Sequence, residues 1–387
     1  MTPMASLTPP LPSLATASAP AQTPQSEPSL RPTPPTPEPE PTSGEAGWIG
    51  PELISTRHYE GPAMVIDADG NAHVAAQLGN DIYYVTNVDG SWTRQLLAAA
   101  PRGTRLASPL IDLDHDGSIG VAYDSRCRDC APDFPEATWF TSNASGGWSD
   151  PVRLVEGGAS QLDLHESTVH LLYTYTNGEG IEDLNDVTRL LYASSVGGET
   201  STVELANIGV GHELRVSGAG TVEAIYATWE PGQSDRQMLR YATRHADSAE
   251  FTVDDLPLPQ ADYSLSAVIA DGGEAHIVFS TVAIDGGTAS SPAYLRQGDA
   301  GWTEPVPFGA ELPTAIDASP EALHAVGGSD EIWYATSDAL DPLNLGCCVF
   351  EGVYYTTYPT VAVDRDGRPH VFYTTADGTW YVVGPGG

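Results

Sequence analysis

The chain has 387 residues, with 16 Lys+Arg against 52 Asp+Glu for a formal charge of −36, and every one of the sixteen cations is arginine. Without lysine there is no Schiff-base chemistry, no Walker-type phosphate lysine and no polybasic lipid anchor, and a nucleic-acid partner would meet strong self-repulsion. Gly 39 and Pro 32 are both high, and no apolar run approaches the ~18 residues of a membrane span.

Residues 1–46 differ from the rest. Of the 32 prolines, 13 fall between Pro3 and Pro41, and no Tyr, Phe or Trp precedes Trp48. Such a segment buries too little apolar surface to offset the entropy of ordering it, which predicts a disordered Pro/Thr/Ser-rich stalk ahead of one domain over 47–387. The opening MTPMASLTPPLPSLATASAP has neither the cationic n-region nor the apolar h-region of a signal peptide. Stalks of this composition commonly hold an exported domain off an envelope, so an extracellular or surface-tethered location is the expectation.

From Pro62 onward a unit recurs: an alternating strand, an Asp/Gly turn, then a second strand that often opens with His. It begins at Pro62, Ser108, Ser160, Glu213, Ser264, Pro313 and Pro359, at intervals of 46, 52, 53, 51, 49 and 46 residues. A third strand follows each time (DIYYVTN, ATWFTSN, RLLYASS, QMLRYAT, PAYLRQG, EIWYATS, GTWYVV), and then a fourth. Four of the fourth strands open with Trp: Trp48, Trp92, Trp148 and Trp302. Trp48 has no hairpin before it, and the seventh unit ends at Val383 without a fourth strand. Residues 48–55 are therefore predicted to supply the outer strand of the last blade, closing a seven-bladed, all-β propeller and removing its open edges. Unit six is the weakest, which leaves a six-bladed ring as the alternative.

The strand–Asp-Gly–strand units, with turns such as Val88-Asp-Gly-Ser-Trp92 and Ser142-Asn-Ala-Ser-Gly-Gly-Trp148, resemble the sialidase-like, Asp-box (BNR) repeat propellers over about residues 48–387. None of them reads as the full Ser-x-Asp-x-Gly-x-Thr-Trp. Sialidases of this family are six-bladed; seven units come nearer to propeller lectins and some polysaccharide-cleaving propellers. The resemblance implies three arginines on a sugar carboxylate, a Tyr nucleophile helped by a Glu, and an acid/base Asp. The family's Arg-Ile-Pro signature is absent, and Ser55-Thr-Arg57-His58-Tyr59-Glu60 stands in its place. Candidate catalytic residues are Tyr354, Tyr355 and Tyr358 beside Glu351, with Glu60, but no matching motif transfers a role to any of them.

Arginine placement points to a ligand face. Arg57, Arg102 and Arg105 precede first strands, and Arg126, Arg128, Arg189 and Arg236 lie between second and third strands, so all seven are predicted at one end of the ring. Planar guanidinium forks suit carboxylate, sulfate or phosphate. The competing interpretation is that they tie loops to the many carboxylates. The long insertion from Trp229 brings an aromatic residue to the same end.

The recurring His73, His170, His276, His324 and His370, replaced by Gly120 and Glu223 in units two and four, are expected to be structural, because blade symmetry keeps them too far apart to share a metal. Asp112, Asp114 and Asp116 resemble the start of a calcium loop, yet the closing carboxylate is missing, which leaves Ca2+ or an acidic turn. No other cofactor is expected. Cys127/Cys130 and Cys347/Cys348 are close pairs, and local disulfides are favoured over free thiols or metal. The leading expectation is recognition of an anionic glycan. A sialidase-like glycoside hydrolase or polysaccharide lyase is the first alternative, and a protein-interaction scaffold is the second.

Overall fold

A computed structural model describes residues 47–127, 136–176, 188–197, 199–229, 237–258, 262–270, 272–282, 292–298, 301–308, 312–320, 322–327, 332–337, 339–343, 357–375 and 377–386. The predicted stalk, 1–46, lies outside them. The remainder is a seven-bladed β-propeller, each blade an antiparallel sheet whose strands are called A to D from the hub outward. Blade 1 comprises Glu60–Ile66, Ala72–Leu78, Asp81–Thr86 and Thr93–Ala98, and blade 2 Thr104–Leu113, Ile119–Cys127, Ala137–Ser142 and Val152–Glu156. Blade 3 is Gly158–His165, Thr168–Thr176, Thr188–Val196 and Glu199–Ala206; blade 4 is Gly209–Val216, Val222–Trp229, Gln237–Arg244 and Thr252–Asp255. Blade 5 is Asp262–Ile269, Ala275–Val282 and Ala293–Gly298, with strand D split into Gly301–Trp302 and Val306–Pro307. The split falls at Glu304-Pro305, where proline has no N–H to continue the ladder. Blade 6 has the shortest strands (Ala315–Ala318, Leu323–Gly327, Trp333–Thr336, Ala339–Leu343) and still forms a full sheet, so the six-bladed alternative falls.

Blade 7 is Thr357–Val363, Pro369–Thr375 and Gly378–Val383, and its outer strand is Ile49–Ser55, paired antiparallel with Leu53 opposite Trp380. The ring is thus clasped by both ends of the domain, as the lone Trp48 strand predicts. Strand A of each blade lies beside strand A of the next, and blade 7 beside blade 1.

The core is not one globule but seven apolar wedges, one between each pair of neighbouring blades. Tyr59, Met64 and Val74 of blade 1 pack on Phe372 and Tyr381 of blade 7, for example, and Ile225 and Leu239 of blade 4 pack on Ile269 and Ile277 of blade 5. Strand B is apolar on both faces because it is flanked by blades on both sides: Ala72, Val74, Ala75 and Ala76 are fully buried. Four of the wedges are finished by a strand-D tryptophan that crosses the interface. Trp148 meets Tyr84 of the preceding blade edge-on at 5.0 Å, Trp302 meets Tyr241 at 5.9 Å, Trp92 meets Tyr381 at 4.9 Å, and Trp48 meets Tyr334 at 5.2 Å. The strand-D tryptophans are therefore interblade keys.

Candidate functional site

The D-to-A and B-to-C connections gather at one end of the blades, where the arginines were predicted. Arg105 on strand A and Arg126 on strand B of blade 2 are cross-strand partners, so their side chains leave the sheet edge together. They line a cleft of about 600 Å3 between blades 1 and 2 with Glu60, Gly79, Asn80, Gly103 and Thr104. Arg105 donates from Nη2 to the Glu60 carboxylate. Arg126 donates to Ser108 Oγ at 3.2 Å and lies 3.5 Å from Asp124 Oδ2. Both guanidinium groups remain about half exposed, at 53%, so each keeps N–H donors facing solvent. Gly103 holds φ +86, which lets the connection turn tightly between the two guanidiniums and blade 1.

Beneath Arg126, Asp124 is 2% exposed. Its Oδ1 accepts from Ala159 N at 3.0 Å and Thr138 Oγ1 at 3.1 Å, lacing blade 2 to blade 3. Burial pushes its carboxyl up from 3.8 to about 6, against the opposing pull of the Ala159 and Thr138 bonds and of Arg126. A second pocket of about 390 Å3 lies on the other side of the Pro101–Leu106 connection, walled by Pro101, Leu106, Tyr123, Trp139 and Pro151. The Trp139 indole N–H donates to Ser125 Oγ at 3.0 Å, which fixes the plane of the ring.

The other expected ligand residues do not join them. Arg57 is exposed, and its backbone carbonyl accepts from Thr379 Oγ1 at 2.9 Å. Arg102 is exposed and does not line the cleft. Arg189 lies 3.6 Å from Glu204 on the outer strands of blade 3, and Trp229 ends strand B of blade 4 half-buried, opposite Gln237. Arg128, Arg236, Cys130, Cys347, Cys348, Glu351, Tyr354 and Tyr355 lie outside the described residues, as do the side chains of Cys127 and Tyr358.

The recurrent histidines are structural, as expected, and each has the same partner. Nδ1 pairs with the strand-C tyrosine hydroxyl of its own blade: His73–Tyr84 at 2.5 Å, His170–Tyr192 at 2.6 Å, His276–Tyr294 at 2.7 Å, His324–Tyr334 at 2.6 Å, and His370–Tyr381. Burial holds His170 and His276 down at about 4, so both are neutral at physiological pH. Where unit two has Gly120, the ring of Phe140 occupies the space: a Cβ there would lie 2.6 Å from it.

The three acids of the calcium-like turn are engaged separately. Asp112 Oδ2 accepts from Leu164 N at 2.5 Å, Asp114 accepts from Ser167 N at 2.7 Å and Glu166 N at 3.2 Å, and Asp116 accepts from Ser118 N at 2.8 Å. Among the described residues no group of three or more His, Cys, Asp or Glu is disposed to hold a metal ion.

Sequence reasoning missed the hub. At the strand-A position facing the second-strand His, the seven units carry Val65, Asp112, Asp163, Arg215, Val268, Asp317 and Ala362. Each charged member staples its blade to the next strand A. Asp163 accepts from Val216 N at 3.0 Å, Asp317 from Val363 N at 2.7 Å, and Arg215 donates to Ile269 O at 2.9 Å. Burial pushes the Asp112 and Asp163 carboxyls up, and Asp163 pushes Asp112 further. Glu213 is raised well above the usual carboxylate range by burial, with Asp317 and Asp163 adding to it. A charge at the centre of an otherwise apolar strand was the signal available.

No protein-family profile and no curated protein matches the chain. Among solved structures, a catalytically inactive virginiamycin B lyase from Staphylococcus aureus with quinupristin aligns at TM-score 0.53 and 12% identity, over 87% of this chain and 99% of that one. A chain of the Mitotic Checkpoint Complex aligns at 0.53 and 11%, over 92% and 97%. A Trypanosoma rangeli sialidase aligns at 0.46 and 11%, over 86% of this chain and 54% of that one. The likeness of the first two is one of fold. No helix among the described residues is long and apolar enough to cross a membrane.

Proposed function

We propose that this is an extracellular or surface-tethered propeller that recognises an anionic glycan at the cleft between blades 1 and 2. The observation that carries this reading is the pairing of Arg105 with Arg126: two half-exposed guanidiniums at cross-strand positions on the rim of one cleft, in a chain of net charge −36. Paired forks suit a sulfate or uronate, whose oxygens would compete with Glu60 and Asp124 for the same donors. The Trp139 pocket, across the Pro101–Leu106 wall, supports the apolar face of a neighbouring sugar ring.

The test is calorimetric titration with sulfated and uronate oligosaccharides beside their neutral counterparts. Charged members should bind, and Arg105→Ala or Arg126→Ala should each weaken them by about tenfold or more, the value of a charge-assisted hydrogen bond. Equal binding of neutral and charged glycans overturns the reading, and so does binding that survives both substitutions. Capture of a protein partner with no glycan binding would replace it with the scaffold reading. Two-carboxylate hydrolysis needs a pair of acids flanking one bond, and Glu60 is the one carboxylate among the described residues lining the cleft. Recognition is therefore preferred to hydrolysis, and turnover of an acidic polysaccharide would reverse that preference.

A further inference from the structure

At the opposite end of the blades, the interface between blades 4 and 5 departs from the repeat. Five blades place a His–Tyr pair there; blade 4 has Glu223, which accepts a hydrogen bond from the Tyr241 hydroxyl through Oε1. Five other blades satisfy the same tyrosine with imidazole; across the strand those blades carry Val, Asp or Ala, whereas blade 4 carries Arg215, whose Nη1 donates to Ile269 O at 2.9 Å. In blade 2 the missing His is made good by Phe140, but in blade 4 the space is left open. A cleft of about 580 Å3 separates Glu223, Tyr241 and Thr243 from Gly273, Arg296 and Gln297 of blade 5.

The lining of this cleft holds one cation among the described residues, with Arg215 across the strand from Glu223. Arg296 Nε lies 2.8 Å from Glu274 Oε1, so that cation is already neutralised. Glu223 has no arginine pairing of this kind among the ion pairs of the described residues, and Tyr241 engages only its Oε1. Both oxygens lie against the glycine wall: a Cβ on Gly273 would be 3.7 Å from Oε2 and 3.9 Å from Oε1, in ordinary contact. The cleft therefore presents a carboxylate with no ion pair among those of the described residues, a demand for a hydrogen-bond donor that carries positive charge.

We propose that this cleft binds a compact organic cation bearing a primary ammonium group, with Glu223 as its counter-charge and Tyr241 as the residue that orients Glu223. An ammonium has three N–H donors and no acceptor, which matches a carboxylate. The net charge of −36 draws cations toward the protein from a distance. The site is at the far end of the blades from Arg105 and Arg126, so it stands or falls independently of anion recognition.

The experiment is a titration of the whole protein at low salt with putrescine, glucosamine and Nα-acetyl-lysine amide, and with N-acetylglucosamine as the uncharged control. At least one amine should bind, moving the amide signals of Thr243 and Gly273, while the acetylated sugar should not. The tightest of the three identifies the source of the ammonium as a small amine, an amino sugar or a peptide side chain. Glu223→His installs the pair that five blades already use, so it should fold with an unchanged melting temperature and weaken amine binding by about tenfold or more, the scale of a lost charged hydrogen bond. Glu223→Gln should show the same loss. The proposal is overturned if none of the three amines binds, if N-acetylglucosamine binds as well as glucosamine, or if binding persists at full strength in Glu223→His.

Discussion

Asp124→Asn puts the electrostatics of the arginine cleft to a quantitative test. Asp124 is 2% exposed, and burial holds its carboxyl at about 6 instead of 3.8. The folded chain therefore keeps this proton more tightly than the unfolded chain, so the group's contribution to stability is intact below the unfolded value and is lost as pH rises through the folded one. The difference amounts to about 3 kcal/mol in all, of which about 2 kcal/mol is lost between about pH 4.5 and about pH 7.5. An amide at the same position does not titrate. Its oxygen can still accept from Ala159 N and Thr138 Oγ1, now at 3.0 and 3.1 Å, while its N–H faces Arg126 and costs about 1 kcal/mol at every pH. Urea melts of both proteins at the two pH values should show the variant gaining about 2 kcal/mol on wild type as pH rises. Raised acids at the hub tilt both proteins equally and cancel in this comparison. With Asp124 neutralised, Arg126 also loses its counter-charge, so a sulfated ligand should bind the variant more tightly at the higher pH. A stability difference that stays constant across the two pH values would refute the reasoning.

Two stability predictions follow from the repeat. Tyr84→Phe leaves His73 Nδ1 with a distant hydroxyl, Thr86 Oγ1 at 3.4 Å, and should cost about 1–2 kcal/mol in a urea melt with no change in the fold's circular dichroism. A neutral result would mean that the 2.5 Å contact contributes nothing net. Trp48→Ala removes the edge-on contact with Tyr334 and loosens the strand that clasps the ring, for about 3 kcal/mol. It should also bring concentration-dependent light scattering as the edge of blade 7 frays open. A variant as stable and as monomeric as wild type would deny the clasp its role.

The blades were legible because each carries its own punctuation. Asp67, Asp114 and Asp364 open turns closed by Gly70, Gly117 and Gly367 in the left-handed region, with φ +82, +83 and +73, so strands A and B can be bounded without any long-range information. Trp48 was legible for a different reason: it repeats a strand-D opening with no blade of its own. What Trp48 touches was not legible, since its contact with Tyr334 joins residues at opposite ends of the domain. The partners of the acidic turn were illegible for a related reason. Asp112, Asp114 and Asp116 are close in sequence and invite a shared ion, yet Asp112 and Asp114 are committed to backbone N–H groups of blade 3, some fifty residues ahead. Local spacing cannot reveal a partner supplied by the next repeat. The arginines illustrate the same limit: seven were assigned to one end, and the described structure unites Arg105 and Arg126 because strand register, not sequence proximity, makes them neighbours.

A ring of repeats also separates what holds the molecule together from what distinguishes it. Most interfaces draw on the same parts, a His–Tyr pair within one blade and an aromatic key from the next, so a departure at one interface weakens one wedge in seven. Such departures are compensated or they are not. Gly120 is compensated, because Phe140 and Leu164 close on the missing side chain, with a Cβ there lying 2.6 and 2.7 Å from them. Glu223 is not closed over in this way: it keeps the tyrosine bond, faces Arg215 across the strand, and lines an open cleft. That carboxylate is half-buried, and it stands where five blades place imidazole. A carboxylate lining an open cleft at a position the repeat otherwise fills with a His–Tyr pair is what assigns that cleft to a ligand.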